Sequence, residues 1–178
     1  MENFFREHIY APIGMKDSWN YEADAPSDRM ARVYGREHSG WTIKWSPGDR
    51  PDWPFVRASG GMISTAWDYA VFCQMYLNRG SYGGKKLLEP DTVTQATSIQ
   101  TVSDFTGERI DGNYGFGWSV DQDGVFSHGG SDGTFAWVDP NQEIVGIVFT
   151  QSPSESVPRL AKQFQRVVGA ACYEEETE

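Results

Sequence analysis

The sequence predicts an α+β fold: an antiparallel sheet in the last third, a C-terminal helix packed on it, and an N-terminal part of helices and loops. Three patterns carry this expectation. Residues 114–150 hold apolar, alternating runs separated by short turns, and strands joined by short turns pair antiparallel. Val157, Leu160, Ala161, Phe164, Val167, Val168 and Ala171 recur with helical period, so residues 156–171 should lay one stripe across a sheet face. From Trp67 to Leu77 the chain is apolar nearly all round, which predicts a buried helix. The chain reads as one unit, with helices and a long aromatic loop over 1–110, strands over 111–152, a helix over 153–172 and an acidic tail over 173–178.

In chain order, Phe4, Phe5, His8 and Ile9 make one face of a short helix that Pro12 should end. Met1 enters that helix with no lead-in, which suggests a missing upstream segment. Residues 16–57 show no sustained period but contain Trp19, Trp41, Trp45 and Trp53 among prolines and glycines. Such a stretch predicts an irregular excursion packed by its own aromatics, either walling a cleft or covering the core. Thr65 with Asp68 three residues later resembles a capping box, and Asn78-Arg79-Gly80 should stop the helix that follows. Gly83-Gly84 marks a tight hairpin turn. Pro90 then opens a helix expected to reach about Ile99. The expected strands are Tyr114–Val120, Gly124–His128, Gly133–Val138 and Glu143–Thr150, the last two joined by a turn at 139–142.

Composition narrows the function. The 178 residues carry a formal charge of −10, which disfavours nucleic acid or an anionic membrane as partner. No run approaches the length of a membrane span. The N-terminus lacks a basic-then-apolar signal, so the chain as given is expected in the cytoplasm; a longer parent with a leader ahead of residue 1 would be exported. Cys73 and Cys172 both fall in apolar helical patterns and are expected as buried free thiols. His8, His38 and His128 are scattered without zinc-type spacing, and no metal or other cofactor is expected.

The run Phe126-Ser127-His128-Gly129-Gly130-Ser131-Asp132-Gly133 delivers a histidine and then removes side chains. Glycines let another group approach the main chain, and a strand edge offers free N–H and C=O groups. A histidine there can hold a substrate or move a proton. The local sequence by itself favours the plainer reading, a histidine at a strand end before a Gly-rich turn.

Four segments in order resemble the serine β-lactamase-related superfamily, which includes class C β-lactamases, DD-peptidases, D-aminopeptidases and esterases. Pro12-Ile13-Gly14-Met15 is similar to that family's P-L-G-M segment. Ala58-Ser59-Gly60-Gly61-Met62-Ile63-Ser64-Thr65 with Asp68 is similar to its SGG-hydrophobic-x-ST-x-x-D stretch. Tyr114-Gly115-Phe116-Gly117-Trp118 resembles its G-x-G-W strand. His128-Gly129-Gly130, with the following Gly133-Thr134-Phe135 and Val138-Asp139-Pro140, resembles its third motif and hairpin. The resemblance implies part of a β-lactamase/transpeptidase-like fold. It also implies an acyl-enzyme mechanism in which S-x-x-K supplies the nucleophile, Y-x-N moves protons and the third-motif strand holds substrate. His128, Gly129 and Gly130 would be that strand, and Ser131 would lend its N–H to the oxyanion hole.

The first two motifs are missing from the chain. Ser18, Ser64 and Ser127 are followed three residues later by Tyr21, Trp67 and Gly130, and no serine here has lysine at that spacing. Tyr76-Leu77-Asn78 is the one Tyr-x-Asn, and it lies in the expected buried helix. The chain therefore resembles the second half of such a hydrolase, inactive alone, whose parent would take a small-molecule or peptide-like substrate. The family's sheet is completed by strands and a helix from the chain start. The resemblance thus predicts an open strand edge here, covered in a homo-oligomer. The alternative is a non-catalytic binding or oligomerisation module. A local triad of Ser131, His128 and Asp132 is a remote third, since these residues are too close in sequence to be assumed one.

Overall fold

A computed structural model of the chain describes residues 1–50, 54–56, 61–101, 113–152 and 157–173. The N-terminal helix runs as α1 (Glu2–Phe5), a π-helical stretch Arg6–Tyr10 and α2 (Ala11–Ile13). Pro12 does not end it. A wider π turn immediately before suits a residue that lacks an N–H and crowds the preceding carbonyls. The stop is Gly14, left-handed at φ 80° and bonded back to the Ala11 carbonyl. The buried face is also shifted from the expected one. Tyr10, Ile13 and Met15 form the core with Val71, Phe5 and Ile9 flank it, and Phe4 and His8 stack on each other in solvent.

Residues 16–50 are less irregular than expected. Two short 3₁₀ turns precede a hairpin of β1 (Val33–Glu37) and β2 (Gly40–Trp45). The aromatic self-packing is not seen: Tyr34, Trp41 and Ile43 are exposed, because this hairpin has no layer over that face. A backbone bond from Tyr34 N–H to the Gln151 carbonyl (2.8 Å) ties it to the last strand's end. Trp53 lies outside the described residues.

α3 (Ala66–Leu77) starts where Thr65 Oγ1 accepts from the Asp68 N–H (3.1 Å), a cap worth about 1 kcal/mol. Only half of the capping box forms, because the buried Asp68 carboxylate turns elsewhere. It accepts from the Asp17 N–H (2.7 Å) and Ser18 Oγ (3.0 Å), and Ser18 Oγ shares a proton contact with Ser64 Oγ (2.8 Å). Reciprocal 2.8 Å bonds between Trp19 and Ile63 complete a clip joining two segments remote in sequence. From Asp68 onward the helix is covered, but Trp67 in its first turn is 76% exposed, against the expectation of full burial. Arg79 (φ 55°) and Gly80 (φ 99°) stop the helix.

β3 (Ser81–Tyr82) and β4 (Lys85–Lys86) make the expected hairpin across Gly83-Gly84. α4 (Pro90–Ala96) ends three residues short of Ile99. There Thr94, Thr97 and Ser98 each bond a carbonyl four residues back, and such hydroxyls compete with the helix ladder.

The main sheet has four antiparallel strands in order: β5 (Ser119–Val120), β6 (Phe126–Gly129), β7 (Thr134–Asp139) and β8 (Ile144–Phe149). The first strand is much shorter than Tyr114–Val120. Gly115 donates to the Trp118 carbonyl (2.7 Å) and Gly117 is left-handed at φ 84°, so this segment turns instead of extending. A side chain at Gly115 would collide with the Ala96 carbonyl, which requires glycine there. Phe126, Ala136, Val138, Val145 and Ile147, with Trp118, pack against Cys73 and Tyr76 of α3. The opposite face carries α5 (Val157–Tyr173), with Ala161 buried and Phe164 edge-on to Trp137 at 5.9 Å. The sheet is thus sandwiched between two helices, and the predicted α+β architecture holds. Cys73 is buried as expected, but Cys172 is exposed, at the end of α5. The acidic tail, 174–178, lies outside the described residues.

Candidate functional site

The third-motif residues sit at the end of β6 and in the turn after it. Gly130 N–H donates to the Thr134 carbonyl (2.8 Å), and Gly133 N–H donates to the Gly130 carbonyl (3.1 Å). Gly133 takes φ 89°, the left-handed position that a three-residue hairpin loop needs. The loop is held from outside. Thr150 Oγ1 donates to the Gly133 carbonyl (2.7 Å) and Ser152 N–H to the Asp132 carbonyl (2.9 Å). A side chain at Gly130 would run into the Thr134 hydroxyl, so the close approach of these two residues selects glycine.

Ladder bonds alternate along an antiparallel strand. Gly130, His128 and Phe126 direct their main-chain groups to β7, so Ser127 and Gly129 direct theirs the other way. Ser127 meets Ser119 there, but β5 reaches no further, and no described strand pairs with Gly129 on that side. No described residue accepts from the Ser131 N–H. The sequence therefore yields an open strand edge one residue after its histidine.

The edge opens into a cavity of about 470 Å³ lined by Tyr114, Ser119, His128, Ser131, Phe135 and Lys162, with Ser127, Gly129 and Gly130 along its base. His128 is exposed on the α3 side of the sheet, edge-on to Tyr114 at 6.2 Å. His128, Gly129, Gly130 and Ser131 all line this one opening. The 16–50 segment is not a wall of it, since none of those residues lines the cavity. Ser119, Phe135 and Lys162 were not legible as neighbours of the motif. The one available signal was strand parity, which puts Ser119, Ser127 and Phe135 on the face opposite the core.

A nucleophile-elbow G-x-S-x-G pattern is not expected in this chain, yet Gly129-Gly130-Ser131-Asp132-Gly133 has that spacing. The structure decides against an elbow. Ser131 lies in a hairpin between antiparallel strands, whereas an elbow is a strand-to-helix turn. Among the described residues, no hydrogen bond links Ser131, His128 and Asp132, and no cluster of His, Cys, Asp or Glu has metal-site geometry.

This arrangement of an open β-edge, a histidine and a glycine hairpin backed by a helix agrees with the family comparison, in which the β-lactamase model matches residues 1–170. The chain belongs to the β-lactamase family. An uncharacterised protein of Mycobacterium tuberculosis is 28% identical over 87% of this chain and 44% of its own length. An Escherichia coli protein named as a D-alanyl-D-alanine carboxypeptidase is 26% identical over 74% of this chain and 30% of its own length. The fold matches a mutant of simvastatin synthase from Aspergillus terreus with TM-score 0.78 at 20% identity, covering 97% of this chain and 50% of that one. A penicillin-binding protein homologue from Caulobacter crescentus matches with TM-score 0.59 at 19% identity, covering 85% and 47%. The chain spans less than half the length of the curated relatives it matches. No helix among the described residues is long and apolar enough to cross a membrane.

Proposed function

We propose that this chain is the substrate-holding part of a β-lactamase-related serine hydrolase acting on an amide or ester through an acyl-enzyme. The open edge of β6 at Gly129 carries the reading. An extended acyl substrate adds to that edge by main-chain hydrogen bonds, His128 flanks the reacting carbonyl, and the Ser131 N–H stabilises its developing negative charge. A nucleophile must come from outside these 178 residues, because no S-x-x-K occurs in them. The isolated chain is accordingly expected to bind without turnover. The test is incubation with a fluorophosphonate and a β-lactam probe, followed by intact mass measurement. The expected outcome is no covalent adduct; stoichiometric labelling of any serine here would overturn it.

A second reading, self-association, is favoured by β8 and α5. Ile144–Phe149 contains no charge and no proline, and its outer edge pairs with no described strand. α5 also exposes Leu160 and Val167. Edge strands without such guards pair with other chains, and the proposed occupant is a second copy related by a two-fold axis.

A further inference from the structure

The β1–β2 hairpin turns its apolar face outward. Pairing sets Tyr34 opposite Ile43 and Arg36 opposite Trp41, so these four side chains share one face. Trp41 is 60% and Ile43 51% exposed, and Tyr34 and Arg36 are exposed beside them. The other face carries the polar groups, and they are engaged with one another. The Lys44 stem lies over Gly35, where any Cβ would run into it. Its ammonium pairs with Glu37, and Thr42 Oγ1 donates to the same carboxylate (3.3 Å).

The described fold makes no use of the aromatic face. The hairpin packs substantially against no other described helix or strand, and none of its residues lines the cavity beside β6. The bond from Tyr34 N–H to the Gln151 carbonyl holds its base and leaves the face free. Exposed apolar patches of this kind mark contact surfaces. The local charge says of what kind. The chain as a whole is at −10, yet residues 29–50 hold five basic side chains and two acidic ones. Arg36, on the aromatic face itself, forms no ion pair among the described residues.

We propose that this face docks on an anionic lipid surface. Tryptophan and tyrosine rings join an apolar body to a polar tip and settle at the boundary between hydrocarbon and headgroups. Ile43 adds apolar area next to them, and Arg36 meets the lipid phosphates. A flat two-stranded face suits a planar surface that needs no socket. The acidic remainder of the chain does not prevent the contact, because charges more than about 8 Å away are largely screened at physiological salt. The docking does not depend on what lies along β6.

The test is flotation of the full chain with vesicles of phosphatidylcholine alone, or of phosphatidylcholine and phosphatidylglycerol in equal parts. The native chain is expected to float with the mixed vesicles, to bind the neutral ones about tenfold more weakly, and to lose most of that preference at high salt. Arg36→Ser should weaken binding to the mixed vesicles about fivefold, the scale of one basic residue near a charged surface. Trp41→Ser with Ile43→Ser should abolish flotation and leave the urea midpoint near native, since both side chains are exposed. Leu160→Ser with Val167→Ser, on α5, should float like the native chain. Failure of the native chain to float with the mixed vesicles overturns the proposal. Flotation that survives in the hairpin double variant, or disappears in the α5 one, overturns it as well. If the hairpin double variant instead turns a native dimer into a monomer in light scattering, the face seats protein and the lipid assignment falls.

Discussion

α3 and α5 lie on opposite faces of one sheet, and each is apolar in a different way. α3 is apolar on all sides because it is covered on two: Cys73 packs with Trp118, Phe126 and Val138 of the sheet, and Val71 packs with Tyr10, Ile13 and Met15 of the N-terminal segment. α5 is a strongly amphipathic helix whose apolar stripe is only partly used. Ala161 and Phe164 meet the sheet, whereas Leu160 is 52% and Val167 66% exposed. A helix with two covered faces loses its periodic signal, and one with a single covered face keeps it. Period alone therefore says that a stripe wants cover; it does not say how much of that cover the chain itself supplies.

The contrast can be broken from either side, and the largest effect is expected on the α3 face. Trp118→Ala removes the ring packed against Phe72, Tyr76 and Phe126, and should destabilise by about 3–5 kcal/mol in urea unfolding. A loss under 1 kcal/mol would mean that α3 is not seated as described. On the α5 face, Gly146→Ala forces a methyl into the Trp137 ring that lies across β8. Overpacking of this kind costs about 1–3 kcal/mol, and the near-ultraviolet signal of Trp137 should change with it.

The thiols report the same asymmetry more gently. Burial raises the Cys73 thiol from its ordinary 9.0 to about 12, and Cys172 is exposed. At pH 8 a thiol reagent should label Cys172 promptly and Cys73 only after unfolding; equal rates would contradict the burial of α3. Because the folded value is the raised one, the contribution of the neutral thiol is full below pH 9 and fades as pH rises toward 12. Alkaline unfolding of Cys73→Ala should accordingly be less pH-dependent across that window. The smallest stability effect belongs to Leu160→Ser with Val167→Ser, within about 0.5 kcal/mol per site, since neither side chain is covered. Their readout is mass. If a second copy seats on this face, light scattering will show the native chain as a dimer and the double variant as a monomer; a monomeric native chain at high concentration would remove the self-association reading.

Much of the core and one motif could be read from residue order. The β6–β8 meander, the hairpin across Gly83-Gly84 and the final helix were legible because their signals are local: alternation, turn glycines and a repeated stripe. The errors fell where a local signal met a competing contact. Tyr114–Trp118 alternates like a strand but is folded up by Gly115 and Gly117, with the Ala96 carbonyl against the first of them. Asp68 has capping-box spacing, yet its carboxylate is taken by Asp17 and Ser18. Pro12 reads as a stop, and the π turn before it carries the helix one residue further.

The sequence by itself determined the glycine hairpin at His128–Gly133 and the family it belongs to, because these depend on backbone freedom at particular residues and on the order of motifs. Only the tertiary structure decided that β5 begins no earlier than Ser119 and leaves Gly129 with an open edge. It alone placed Lys162, 34 positions beyond His128, at the same cavity. Both depend on where separate elements stop and how they lie over one another. Those relations come from packing across the sheet, and no spacing along the chain encodes them.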